Sequence, residues 1–113
     1  MEFKKRKIKF KAWDVENRLV MRLNSIDCNK GELFKKDHIL LQFTGLFDKE
    51  DEEIYEWDVL MLSFEKFVVY WNESANGWYY SPINNFPQGS PFLIQEAGRM
   101  KRFCSYYELQ STS

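Results

Sequence analysis

Few residues in this chain have the type and spacing for covalent or metal chemistry. His38 is the single histidine, and Cys28 and Cys104 are the two cysteines. A tetrahedral zinc site gathers four clustered nitrogen or sulfur ligands, and these three residues stand at no ligand spacing. No cofactor or metal is expected, and His38 reads as an ordinary strand-edge residue. Neither cysteine lies in a motif that supplies a base, so both thiols read as inert. Glu56 and Asp58 lie two apart, which on a strand places them on one face. General acid–base work needs two carboxylates in distinct environments. The plainer expectation is a structural pair, with Asp58 hydrogen-bonding a turn. The acidic run from Asp48 to Glu53 lacks the glycine and carbonyl spacing of a calcium loop and reads as a solvated turn. The chain has no Gly-x-x-x-x-Gly-Lys and no Gly-x-Gly-x-x-Gly, so nucleotide hydrolysis has no support. With no catalytic set to assemble, the chain reads as a binding protein rather than an enzyme.

Binding needs only charge and shape. Lys4, Lys5, Arg6, Lys7, Lys9 and Lys11 form a basic patch, and Trp13, Trp71, Trp78, Tyr79 and Tyr80 are aromatics able to stack on bases. Residues 1–36 hold eleven Lys and Arg against five Asp and Glu, whereas residues 37–73 hold two against ten. These unlike segments can pair within the fold, pair between copies or face different partners. The net charge of −1 and the acidic middle weigh against nucleic acid, whose partners usually carry a clear basic bias. The aromatics read first as core.

The elements that position these residues are short strands. At 113 residues with 18% aromatics, the chain suits one domain with a β-rich core. Lys7 to Trp13 alternates charged and apolar residues like a half-buried strand, with Ile8, Phe10 and Ala12 on one face. Asp14–Arg18 reads as a turn and Leu19–Leu23 as the returning arm. Residues 24–37 read as loop, with a short strand around Glu32–Phe34. His38–Phe43 is a strand ended by Thr44-Gly45. Apolar residues on both faces of Tyr55–Phe64 predict a strand covered on both sides. Phe67–Trp71, the Asn72–Gly77 turn and Trp78–Tyr80 make the clearest hairpin. Ser90, Pro91 and Gly98 predict a short helix with Ser90 as N-cap and Pro91 in its first turn. Lys101–Leu109 reads as a closing strand. No apolar run is long enough to span a bilayer, and two unpaired cysteines fit a reducing, cytoplasmic setting.

Three blocks resemble the YopX family of phage and prophage proteins. Ile8-Lys9-Phe10-Lys11-Ala12-Trp13-Asp14 is similar to its opening motif. Gln42-Phe43-Thr44-Gly45-Leu46 followed by Glu53-Ile54-Tyr55-Glu56-Trp57-Asp58-Val59 is similar to its centre. Phe103–Glu108 weakly resembles its last strand. Trp57 stands where the family pattern has glycine, so a positive φ there would require a different local geometry, and Cys104-Ser105 replaces a terminal Gly-Asn. The resemblance implies a mainly β fold: an N-terminal hairpin region (residues 1–37) with an SH3-like small barrel (38–109) carrying one short helix, together a single domain over 1–113. It implies a phage or prophage accessory protein with no settled activity. The expected function is binding to a protein partner or to itself, as a homo-oligomer, with no membrane and no small-molecule substrate. A nucleic-acid-binding barrel is the alternative. The candidate binding surface is Lys7, Lys9, Lys11, Trp13, Tyr55, Glu56 and Asp58.

Overall fold

The computed structural model describes residues 7–111, so Lys4, Lys5 and Arg6 of the expected basic patch lie outside the described residues. The fold is mostly β, with two curled antiparallel sheets and a projecting hairpin. Strand β1 (Phe10–Asp14) pairs on one side with β2 (Leu19–Arg22) and on the other with β5 (His38–Phe47). The turn from β1 to β2 forms because Asp14 caps it. Its Oδ1 accepts the backbone N–H of Glu16 and of Asn17, each at 3.0 Å, a local side-chain alternative to the sheet ladder. Strands β3 (Asp27–Asn29) and β4 (Glu32–Phe34) form a separate hairpin. Lys30 and Gly31 both take positive φ in its two-residue turn, as the primed turns of tight hairpins require.

Thr44-Gly45 does not end β5. It forms an irregularity within it, where the pairing with β6 (Glu53–Tyr55) shifts between Phe43 and Phe47. Gly45 sits at φ +87°, and the Thr44 hydroxyl donates to the Ile54 carbonyl while accepting the Leu46 N–H. The strand therefore bends and continues, as a bulge allows.

The second sheet has the order β10–β9–β8–β7–β11. Its members are β7 (Asp58–Leu62), β8 (Glu65–Asn72), β9 (Gly77–Pro82), β10 (Ser90–Pro91) and β11 (Lys101–Ser105). Its last strand pairs with its first, and the one-turn helix α1 (Ile94–Ala97) precedes that last strand. This is the SH3-like arrangement expected. The strands divide between the sheets after Tyr55 rather than before His38, because β5 pairs with β1. Ile54, Leu60, Phe67, Val69, Phe92, Ala97 and Met100 form the buried core of this half. Val59 and Leu60 point to opposite faces and are both fully buried, so β7 is covered on both sides.

Two expectations about helices are corrected. Ser90 and Pro91 are not a helix start; they pair with Tyr80 and Tyr79 as an edge strand, where a proline without an N–H is tolerated. Phe92 then enters the core at 3% exposure while its N–H donates to Trp78. The chain must stay extended until that ring is placed, and only one helical turn remains before Gly98. The closing strand stops at Ser105, and Tyr106–Ser111 is a second short helix, α2. Glu108 Oε1 accepts the Ser105 N–H at 2.9 Å, one half of a Ser-x-x-Glu capping box. The other half is unmade, for Ser105 Oγ is buried without a hydrogen-bond partner.

Candidate ligand-binding cleft

A cleft of about 480 Å³ lies between the sheets, lined by Lys9, Lys11, Arg22, Glu52, Glu53, Tyr55 and Arg102 among others. Strand pairing creates its basic floor. Lys11 stands directly opposite Arg22 across β1 and β2, a placement of like charges that costs stability. Arg102 comes from β11, far away in sequence. Burial, then the nearby Arg102 charge, holds the Lys11 pKa below the usual lysine range. Lys11 Nζ sits 4.5 Å from the centre of the Tyr55 ring, a cation–π contact.

Each remaining charge in the cleft has a partner. Lys9 Nζ is 2.6 Å from Glu53 Oε2, and that bond, ahead of opposing burial, lowers the Glu53 pKa. The Tyr55 hydroxyl donates to Glu53 Oε1 at 3.2 Å. Burial, then the Glu53 charge, pushes the phenol up to about 12. Behind the floor, Arg102 Nε donates to Asp58 Oδ2 at 2.9 Å, and the same oxygen accepts the Tyr55 N–H at 2.8 Å. Asp58 is 1% exposed; burial raises its pKa against the pull of Arg102. Among the described residues, Lys11 and Arg22 have no carboxylate within ion-pair distance. Glu108 lies near both on the α2 side, and Asp58 and Glu108 both raise the Lys11 pKa in opposition to burial and Arg102.

The structure thus brings together Lys9, Lys11, Tyr55 and Asp58 of the expected surface. Lys7 is exposed just before β1. Trp13 is no surface residue: at 6% exposure it stacks on Tyr107 with ring centres 5.3 Å apart. Glu56 does not share a strand face with Asp58, because Glu56 and Trp57 make the turn between β6 and β7. Asp58 does hold that turn. Arg22 and Arg102 escaped the sequence reading because each stands alone in its segment, and only register places them beside Lys11. Of the aromatics able to stack on bases, which read first as core, Trp71 packs against Trp78 and Tyr79 against Tyr70.

Trp57 keeps a positive φ of 65°. The expectation that a tryptophan here would need another geometry is overturned. Its N–H donates to Val69 and its carbonyl accepts from Tyr106, both at 2.7 Å, so the surrounding strands hold a backbone that L-residues otherwise avoid. Its ring packs among Tyr70, Phe86 and Tyr106.

Metal and thiol chemistry gain nothing from the geometry. His38 Nδ1 donates to the Lys36 carbonyl at 2.7 Å. Among the described residues no cluster of three or more His, Cys, Asp or Glu is placed to hold an ion. Cys28 is exposed on β3. Burial, then the Glu108 charge, raises the Cys104 thiol, the reverse of an activated nucleophile. Among the described residues no helix is long and apolar enough to cross a membrane.

No curated protein matches the chain. A family model described as YopX protein matches residues 3–98, which takes in the opening and central motifs and leaves Phe103–Glu108 outside it. With the match covering most of the sequence, the chain belongs to the YopX family.

Proposed function

We propose that this chain is a non-enzymatic accessory protein of a phage or prophage that works in the cytoplasm by binding a protein partner or a second copy of itself. In this reading the cleft between the sheets receives an acidic side chain. The observation that carries it is the opposed pair Lys11 and Arg22, with Arg102 beside them. Such a cluster of cations is electrostatically costly alone and favourable once a carboxylate enters. The nucleic-acid alternative draws on the same cations. Glu52 and Glu53 on the cleft wall and the adjoining acidic loop would repel a long polyanion, whereas a single carboxylate can sit clear of them.

Fluorescence anisotropy tests this with a labelled Asp/Glu-rich peptide and a single-stranded oligonucleotide of equal charge, at low and physiological salt. The peptide is expected to bind, with affinity falling about tenfold or more in the Lys11→Ala/Arg22→Ala double variant. Absence of peptide binding at low salt, or unchanged affinity in the double variant, overturns the assignment. Tighter binding of the oligonucleotide, with a steep salt dependence, transfers the cleft to the nucleic-acid reading. Sedimentation equilibrium separates self-association from a foreign partner by whether the mass exceeds that of one chain.

A further inference from the structure

The basic wall of the cleft continues beyond it. A neighbouring cavity of about 270 Å³ is lined by Lys11, Val20, Met21, Arg22, Arg102 and Glu108, so it shares Lys11, Arg22 and Arg102 with the cleft. The chain shows how the two adjoin. Leu23 and Arg22 line the cleft, whereas Arg22, Met21 and Val20 line its neighbour. On β1 and the residue before it, Lys9 and Lys11 line the cleft, and of these Lys11 reaches the neighbour. Together the cavities make a trough along β2 with the opposed Lys11–Arg22 pair at its middle. Both ends carry acid. At the cleft end the ion pairs set Glu50, Glu52 and Glu53 against Lys9 and Lys101, which leaves one negative charge in excess. At the other end Glu108 of α2 lines the wall, with its Oε1 on the Ser105 N–H.

We propose that the trough takes an extended peptide segment of a different protein, with an acidic residue at its centre and a basic residue two positions away on each side: Lys/Arg-x-Asp/Glu-x-Lys/Arg. This rests on the carboxylate-binding reading of the cleft and names the partner's chemistry. The wall reads acid, base, acid along one strand, and a ligand of the inverse pattern is its electrostatic complement. Side chains two apart on an extended segment share a face and lie about 6–7 Å from one another, the same spacing by which Lys9 precedes Lys11 on the wall. A run of acidic residues would set its outer carboxylates against Glu52 or Glu108, a like-charge contact that disfavours it. No Asp or Glu of this chain has Lys or Arg two positions away on both sides, so a second copy does not supply such a segment.

Anisotropy titrations of the intact protein with three capped, dye-labelled peptides test the proposal. Lys-Gly-Asp-Gly-Lys and Asp-Gly-Lys-Gly-Lys share composition and net charge and differ only in order; Asp-Gly-Asp-Gly-Asp is the acidic peptide of equal length. The isomer with central Asp is expected to bind about fivefold or more tightly than either of the others, and to lose binding in Lys11→Ala/Arg22→Ala. Glu108→Gln keeps an oxygen to accept the Ser105 N–H and removes the charge, and Glu52→Gln does so at the exposed opposite end. Each is expected to reduce the preference between the isomers by about half or more. Equal affinity of the two isomers, tighter binding of the acidic peptide, or a preference unchanged in both Gln variants overturns this inference and leaves the carboxylate assignment standing. Absence of binding by all three peptides at low salt overturns both.

Discussion

At the scale of single residues, Trp57 carries two opposing effects. Its φ of 65° costs about 1–2 kcal/mol for an L-residue, while its ring packs against Tyr70, Phe86 and Tyr106 and is worth about 3–5 kcal/mol on removal. Packing outweighs strain, so Trp57→Gly is expected to destabilise in urea titration even though it relieves the backbone. Trp57→Ala removes the same ring and keeps the strain. It is therefore expected to be less stable than Trp57→Gly by about 1 kcal/mol, an inversion of the usual order that would not occur at an ordinary strand or helix position. Equal stabilities would mean that the positive φ relaxes once the ring is gone.

At the scale of elements, the β3–β4 hairpin contrasts with the rest. Both of its strands are exposed throughout, including Leu33 at 45% and Phe34 at 46%. A two-stranded hairpin with no face to bury has marginal stability of its own. Replacing Asp27–Phe34 with a short Gly-Ser turn is expected to change the unfolding free energy by less than about 1 kcal/mol in urea titration. A loss of several kcal/mol would show that the hairpin braces β5. The one-turn α1 and the final α2 show how tertiary demands set where a helix begins. Each starts where a neighbouring group has first been satisfied: Phe92 in the core for α1, the Ser105 N–H on Glu108 for α2. The Ser-x-x-Glu spacing of Ser105 and Glu108 is a capping signal present in the sequence, and it outweighs the alternation that makes Lys101–Leu109 look like a strand.

For the whole molecule, charge is the organising feature. Part of the unlike charge pairs within the fold: Lys9 with Glu53, Lys101 with Glu50, and Arg102 with Asp58. Several carboxylates are tuned by the fold in the same direction. Burial of Asp48 would raise its pKa, but backbone N–H groups of Arg102, Glu52 and Glu50, with Lys101 nearby, hold it low. Asp14 is lowered chiefly by the Asn17 N–H, and Glu53 by Lys9. A folded pKa below the unfolded value of about 4 contributes stability that is present above that pH and lost as pH falls through the folded value. Asp58 and Glu56 have the opposite sign: their raised pKa values subtract stability as pH rises past the unfolded value. Three depressed groups against two raised predict net loss of stability on acidification below pH ~4. Asp48→Asn is expected to flatten that acid limb while lowering stability at neutral pH, read from urea midpoints across pH. An acid limb unchanged by the variant would remove Asp48 from the account.

The sequence by itself determined the mainly β class, the 67–80 hairpin, the turn-holding role of Asp58 and the family, because each rests on alternation, turn chemistry or motif spacing over a few adjacent residues. It also placed Lys9, Lys11 and Tyr55 among the candidates, though not side by side. Only the tertiary structure decided that Trp13 is buried, that Arg22 and Arg102 complete the cleft, and that Trp57 helps to wall a separate aromatic cavity. The reason is physical. Local pattern tells which faces of a strand are apolar, but which residues meet depends on strand register and on the closure of β11 against β7. Those contacts join residues far apart along the chain, and no short-range preference records them.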